Sequence, residues 1–445
     1  MKRDAAFDAH AGSGARLTPS FSGTRFGGAL LGGALFGGAL FGGAYAGRRV
    51  LVTGHTGFKG SWLALWLHAM GAEVCGLALP PEPGPNHGRL LQVPLKAALT
   101  DLRDATAVRA ALRRFAPEIV FHLAAQPLVR RSYREPAATF DTNVMGLVNL
   151  LEAVRATPSV RVVVNATSDK CYANLDTACS PGDAGGVLTG DARGVLTGDA
   201  RGVLTDEARG VLTDEARGVL TGEARGFVEA DALGGHDPYS ASKACAEIVS
   251  ASYRASFLAT DDGRGQPVAL ATARAGNVVG GGDWSEDRLI PDLVRAAVSG
   301  RHSAIRYPHA TRPWQHVLEP LAGYLLLGQH LLTDPQASAE AWNFGPDAAC
   351  QWPVAQVVAA FAEHWPAVRS QLDPSTPLHE AAQLRLDCGK AQARLGWVPL
   401  WNAATTFERT ALWYRHQHEQ GGLRSREDLL HYVADARIAG LAWAA

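Results

Sequence analysis

Excess charge of either sign is missing from this sequence: 42 lysines and arginines stand against 43 aspartates and glutamates, for a formal net charge of −1. There is no basic cluster of the kind that neutralises a phosphate backbone, so nucleic acid is excluded as a partner and a small polar ligand is expected. Cysteine is sparse and unpatterned. The six, at 75, 171, 179, 245, 350 and 388, form no CxxC or CxxH spacing. That rules against a zinc site or a secreted disulfide framework, and points to reduced thiols, a cytoplasmic location and no metal.

Long apolar runs are also nearly absent. The one uncharged run, residues 26 to 47, "FGGALLGGALFGGALFGGAYAG", reaches the ~20 residues a bilayer span needs, but glycine fills too much of it. Its five-residue unit matches neither a signal peptide nor GxxxG packing, so residues 1–47 are expected to form a disordered low-complexity tail without a membrane role. A second repetitive stretch, five octapeptides of the GVLTGDAR type over 186–225, offers one Val-Leu pair per unit and is likewise expected to be disordered.

What remains alternates strand and helix. "RRVLVTGHTGFKGSWLALWLHAMGAEVCGLAL" runs from an apolar strand through glycines into a helix and out to a second strand, a βαβ unit. Gly54, Gly57 and Gly60 let that turn tighten and let a pyrophosphate approach the amides of the helix N-terminus, with Thr56 and Phe58 beside it. Further units follow: helix "ATAVRAALRRF", strand "EIVFHLAA", helix "AATFDTNVMGLVNLLEAVRA", strand "VRVVVNAT", helix "YSASKACAEIVSASYRASF" and strand "PVALATA". Strands this apolar are buried on both faces. The fold class is therefore α/β, a Rossmann-type doubly wound parallel sheet over 48–276, with ligands at the carboxyl ends of the strands. Looser helices beyond it suggest a smaller, mostly helical substrate lobe over 277–445.

At the strand ends stand Asp101 and Leu102, then Leu123, Ala124, Ala125 and Gln126, then Asn143 on a helix. "NATSDKCY" ends another strand with an acid beside a base, Asp169 and Lys170. In "DPYSASKACAE", Tyr239 and Lys243 are four residues apart and share a helix face. A lysine ammonium there is expected to lower the tyrosine pKa and make it a base near neutrality. Ser168, or Thr167 beside it, is suited to hold a substrate oxygen against that phenol. Arg288 and Arg312 offer forked donors to a diphosphate.

The motifs "VTGHTGFKG", "HLAAQP", "DTNVMG" and the Tyr239/Lys243 pair resemble the extended short-chain dehydrogenase/reductase family. Together with "TSDKCY", "RAGNVVGGGDW", "DRLIPD", "RPWQHVLEPL" and "WNFGP", they resemble its CDP-glucose 4,6-dehydratase branch over roughly 48–420. The resemblance implies NAD held by Gly54, Thr56, Gly57, Phe58, Gly60, Asp101, Leu102, Leu123, Ala124, Ala125, Asn143, Tyr239 and Lys243. It implies CDP-glucose as substrate, met by Gln126, Thr167, Asn277, Arg288, Arg312 and Asn343. Catalysis falls to Ser168, Asp169, Lys170, Tyr239 and Lys243, with Asp169 the general acid and Lys170 where other nucleotide-sugar dehydratases carry a glutamate base. Relatives pair through the helix carrying the tyrosine, which implies a homodimer or homotetramer. One departure is that Pro80 stands where relatives often place an acid for the adenosine ribose, with Glu82 displaced. A nucleotide-sugar epimerase or reductase, and a non-catalytic NAD-binding protein, are the alternative readings.

Overall fold

The computed structural model describes residues 40–173, 225–259, 267–373 and 385–445. The octapeptides lie outside the described residues except for Arg225, as does the tail up to residue 39.

Seven parallel strands form the central sheet: β1 (Arg49–Thr53), β2 (Glu73–Ala78), β3 (Lys96–Leu99), β4 (Ile119–His122), β5 (Val162–Ala166), β6 (Ala269–Arg274) and β7 (Ala341–Asn343). Their spatial order is β7-β6-β5-β4-β1-β2-β3. Alternate side chains of each strand enter opposite cores, as a two-residue period requires. Val50, Val52, Phe121, Val162, Val164 and Ala271 join one apolar cluster, whereas Leu51, Val120, Val163 and Leu270 join the other. Each fully buried Val or Leu contributes about 1.5–3 kcal/mol. Both faces are therefore closed, and only the strand ends are free to hold ligands.

The principal helices are α1 (Phe58–Ala69), α2 (Ala105–Phe115), α3 (Gly146–Arg155), α4 (Pro238–Tyr253), α5 (Leu318–Thr333), α6 (Ala403–Gln420) and α7 (Ser425–Ile438). Asp104 caps α2 and Asp237 caps α4, each carboxylate accepting an amide of the first turn. The single helix read over "AATFDTNVMGLVNLLEAVRA" runs through a π-turn at Asp141–Met145 that leads into α3.

Two boundaries differ from those expected. The sheet extends past residue 276, because Ala341–Asn343 pairs with Thr272–Arg274 and completes the edge. The last eight residues of the tail are packed: Leu40–Gly43 forms a 3-10 turn, Phe41 stacks on Trp443, and the Tyr45 hydroxyl donates to the Leu325 carbonyl. Burial of two aromatic rings outweighs the glycine-rich composition there. No helix among the described residues is long and apolar enough to cross a membrane. No cluster able to hold a metal ion occurs among them, and five of the cysteines are free.

Candidate active site

The strand order reverses between β1 and β4, and the glycine turn sits in that crevice. Gly54 has φ 75°, and a Cβ on it would stand 2.8 Å from the Ala124 nitrogen. A Cβ on Gly60 would lie 2.1 Å from the Gly54 carbonyl oxygen. Both positions therefore require glycine. The α1 N-cap, Gly57, contributes no capping side chain, so the first-turn amides face the crevice without a protein anion. An uncapped helix start behind a glycine turn fits a dinucleotide pyrophosphate. Thr56 donates to the Leu79 carbonyl, and Thr53 gathers the turn by accepting from the Leu123 and Ala124 amides and bonding to His122 at 2.7 Å.

Several expected contact residues are committed elsewhere. Leu102 is buried in the core on the α2/α3 face of the sheet, and Asp101 is clipped by Arg103 at 2.7 Å, the bond that holds its carboxyl below the usual range. Asn143 accepts from the Gln126 amide and donates to the Gln126 carbonyl and to Ser242, whose hydroxyl in turn donates to the Tyr239 carbonyl. Its side chain is a brace between the segment after β4 and α4. The Gln126 amide is spent on Thr139 and the Leu128 backbone, so it does not reach toward a substrate. Thr167 donates to Glu247 rather than toward a sugar. Asn343, fully buried, accepts from Tyr172 and donates to the Phe227 and Asp387 carbonyls. In each case satisfying a buried polar group claims the side chain first. Glu82 pairs with Arg131 at 3.2 Å.

Five other groups do meet. β5 ends in a short 3-10 turn, Asp169–Cys171, capped by Ser168. The Ser168 hydroxyl donates to Asp169 at 2.9 Å and lies close enough to the Tyr239 phenol to lower its pKa. Asp169 is 3% exposed, pressed against Gly276 so closely that a Cβ there would fall 1.8 Å from its Oδ2. Lys170 stands half-buried on the same turn. Lys243 is buried and donates to the Ala166 carbonyl at 3.2 Å.

The expected lowering of the tyrosine pKa is not found. Burial raises the Tyr239 phenol to about 12; the Ser168 hydrogen bond pulls it down and the Asp169 charge pushes it up. Burial also lowers Lys243 to about 8, against the opposing pull of Glu247. The ammonium is turned to a backbone carbonyl, so its charge does not dominate the phenol.

Arg288 pairs with the buried Asp283 at 3.1 Å and keeps a third of its surface exposed. Arg312 donates to the Thr311 carbonyl. Asn277 adopts φ 47° next to Gly276, and its backbone carbonyl accepts from Gln315. One residue escaped the sequence reading: Lys59, inside the glycine turn, feels Arg288, Lys243, Asp169 and Asp283 together, and burial first and then the two cations bring it to about 8. The lysine in "GFKG", in a turn otherwise read for its glycines, was the available signal.

A doubly wound parallel sheet, a glycine turn at its switch point and a Tyr-x3-Lys pair beside it define the class: a short-chain dehydrogenase/reductase of the extended type. The chain is 41% identical to the CDP-glucose 4,6-dehydratase of Salmonella typhimurium, across 83% of this chain and 91% of that one. It belongs to the CDP-glucose 4,6-dehydratase family, the NAD-dependent nucleotide-sugar dehydratases of that class. Residues 51–180 match the family model described as GDP-mannose 4,6 dehydratase. A UDP-glucose 4-epimerase of Mycolicibacterium smegmatis is 40% identical over 27% of this chain and 38% of its own. Among solved structures, the dTDP-glucose 4,6-dehydratase of Streptomyces venezuelae superposes with a TM-score of 0.61 at 23% identity, covering 83% of this chain and 99% of that one. The UDP-glucose 4-epimerase of Thermotoga maritima does so at 0.63 and 20%, covering 83% and 99%. At such identities these structural likenesses speak for the fold.

Proposed function

We propose that the enzyme converts CDP-glucose to CDP-4-dehydro-6-deoxyglucose and water, with Ser168, Asp169, Lys170, Tyr239 and Lys243 as its working groups. The observation that carries this reading is the linked trio Ser168, Asp169 and Tyr239: a carboxyl group for a leaving hydroxyl stands one hydrogen bond away from a serine that reaches the redox-type tyrosine. An epimerase needs the tyrosine and lysine but has no leaving group to protonate.

Tyr239, as phenolate, takes the C4 hydroxyl proton while Ser168 holds that oxygen, and Lys243 keeps its ammonium on the same side to favour the anion. NAD, when bound, supplies the hydride acceptor at C4 and the donor at C6. The Gly54–Gly60 turn and the first amides of α1 hold its pyrophosphate. With C4 a ketone, the C5 proton becomes acidic, and Lys170 takes it as the free amine. Asp169 in its acid form protonates the departing C6 hydroxyl, which leaves as water. Lys170 then returns its proton to C5, and the C4 hydroxyl proton held by Tyr239 passes by way of Ser168 to Asp169, which restores both groups and closes the proton balance. Arg288, Arg312 and Asn277 are assigned to the nucleotide diphosphate and sugar.

The test offers the protein NAD and, in turn, the CDP-, dTDP-, GDP- and UDP-glucoses, and follows the 4-keto product by its absorbance in alkali. Turnover of CDP-glucose at least tenfold above the other three is expected. A C4-epimer without keto product assigns the chain to the epimerases instead.

A further inference from the structure

Beneath the Ser168–Lys170 turn lies a buried ionic cluster that no step above uses. Glu247 stands one helical turn beyond Lys243 on α4 and is 3% exposed. Its Oε1 accepts from the Thr167 hydroxyl, and its Oε2 accepts from the Thr272 hydroxyl at 2.7 Å and from Arg274 Nη2 at 2.9 Å. Arg274, equally buried, sends Nη1 to the Tyr172 hydroxyl at 2.7 Å and to the Glu229 carbonyl at 3.1 Å. Thr167 immediately precedes the catalytic turn, and Tyr172 immediately follows it. One ion pair thus grips both flanks of the turn, and it does so from the helix that carries Tyr239 and Lys243.

Net stability is a poor reason for such a pair, because desolvating two charges offsets most of their attraction, and well-packed apolar side chains would serve the core as well. Fixed geometry is what three donors converging on one carboxylate do supply. We propose that Glu247 is a positioning residue of this reaction: with Arg274 it fixes the Thr167–Tyr172 segment against α4, and its charge holds the Lys243 ammonium in place one turn away. The assignment rests on the dehydratase reading given above.

The electrostatic consequence is specific. Lys243 is faced by Glu247 on its own helix, by the Cys171 thiol on the catalytic turn, by Lys59 on α1 and by His122 on β4. Glu247 is faced in turn by Arg274 on β6, by Arg254 just past α4 and by Cys171. Burial pushes the Cys171 thiol well above its ordinary range and holds His122 near 3, so both are neutral at working pH. Glu247 is then the anion that keeps Lys243 charged against burial. Without it, the lysine surrenders its proton at a lower pH.

The experiment compares Glu247→Gln, Glu247→Asp and Thr167→Val with a wild-type chain first shown to turn over CDP-glucose. In Glu247→Gln, kcat is expected to fall about tenfold or more with KM within about threefold, and the alkaline limb of the kcat–pH profile to move down by about half a pH unit or more. Glu247→Asp, which keeps the charge, should leave that limb where the wild type has it. Should Glu247→Gln fail to fold with Arg274 unpaired, Thr167→Val decides, because it removes one tie and leaves the ion pair whole. A fall in kcat of about tenfold at unchanged KM is expected of it, with faster amide exchange at Lys170 and Cys171 in the protein without substrate. Wild-type kcat in Thr167→Val, or a folded Glu247→Gln with the wild-type limb, overturns the proposal, as does a change confined to KM. A wild type that makes no keto product refutes the functional reading instead, so the two failures are told apart.

Discussion

At the scale of single residues, the site holds two buried lysines brought down to about 8. Lys243 is the clearer case. Its ordinary pKa near 10.5 is brought by burial to about 8, so between those values the unfolded chain binds a proton that the folded chain does not. Stability therefore rises with pH from about 8 to 10.5 on account of this residue, and below 8 the folded state carries the full cost of a buried ammonium. Replacing it with methionine removes that cost. Lys243→Met is expected to be more stable than the wild type at pH 7, by about 1–3 kcal/mol in denaturant unfolding, with the advantage shrinking as the pH is raised toward 10. The same variant should lose about a hundredfold or more in kcat, because the Tyr239 phenolate then keeps Arg288 but loses the ammonium carried on its own helix. Equal stability at both pH values would mean that the ammonium is better solvated than its 7% exposure suggests. Lys59, also near 8 by burial and by its cationic neighbours, changes stability in the same direction.

The elements that matter are short, and their shapes are set by contacts between segments distant in the chain. Asp169 is fixed from below by Ser168 and from the side by the backbone of Gly276, which follows β6. Gly276→Ala would force a methyl group to within 1.8 Å of the present carboxylate position. The acid must swing away, and the expected result is a fall in kcat of about a hundredfold, with NAD binding, read by fluorescence quenching, close to wild type. Retained turnover would remove Asp169 from the general-acid role. This contact also marks where sequence reading stops. Strands β1, β4, β5 and β6, helices α1 and α2, and the Gly54–Gly60 turn were legible, because apolar period, caps and glycines are local signals. The pairing of Tyr239 with the Ser168–Lys170 turn was legible too, since both motifs sit at strand or helix ends that a parallel sheet brings to one edge. Asn143, Gln126, Thr167 and Asn343 were given ligand roles by the family resemblance and stand close to the same edge. A strand-end position does not reveal whether a buried neighbour has already claimed a polar group, and in these four it has. The π-turn at Asp141–Met145, which sets the height of Asn143, left no mark in the residue pattern.

For the whole molecule, the question is how a catalytic segment tolerates an insertion a few residues away. The chain leaves the catalytic turn at Tyr172–Ala173 and is described again from Arg225, and the two limbs are fastened together. Ala173 donates to the Ala232 carbonyl, Gly234 to the Cys171 carbonyl, and Phe227 stacks on Tyr172 with centroids 4.8 Å apart. Phe227 also pairs through its backbone with Leu386 in the C-terminal part, while Arg225 and Asp231 form an ion pair at 2.7 Å. These contacts close the loop at its base. Loop-closure entropy grows only as the logarithm of length, so the residues beyond the clasp cost the fold little. Deleting residues 186–224, which spares both limbs, is therefore expected to leave kcat and KM within about threefold of the intact chain and to raise the unfolding free energy by only about 1 kcal/mol, the closure entropy of two halvings of the loop. Phe227→Ala opens the clasp without shortening the loop and is expected to cost about 2–4 kcal/mol of stability. Steady-state kinetics and urea unfolding on the two variants separate the limbs from the repeats. A deletion that raises turnover tenfold would mean that the repeats hold the enzyme back and that the clasp does not insulate the site from them.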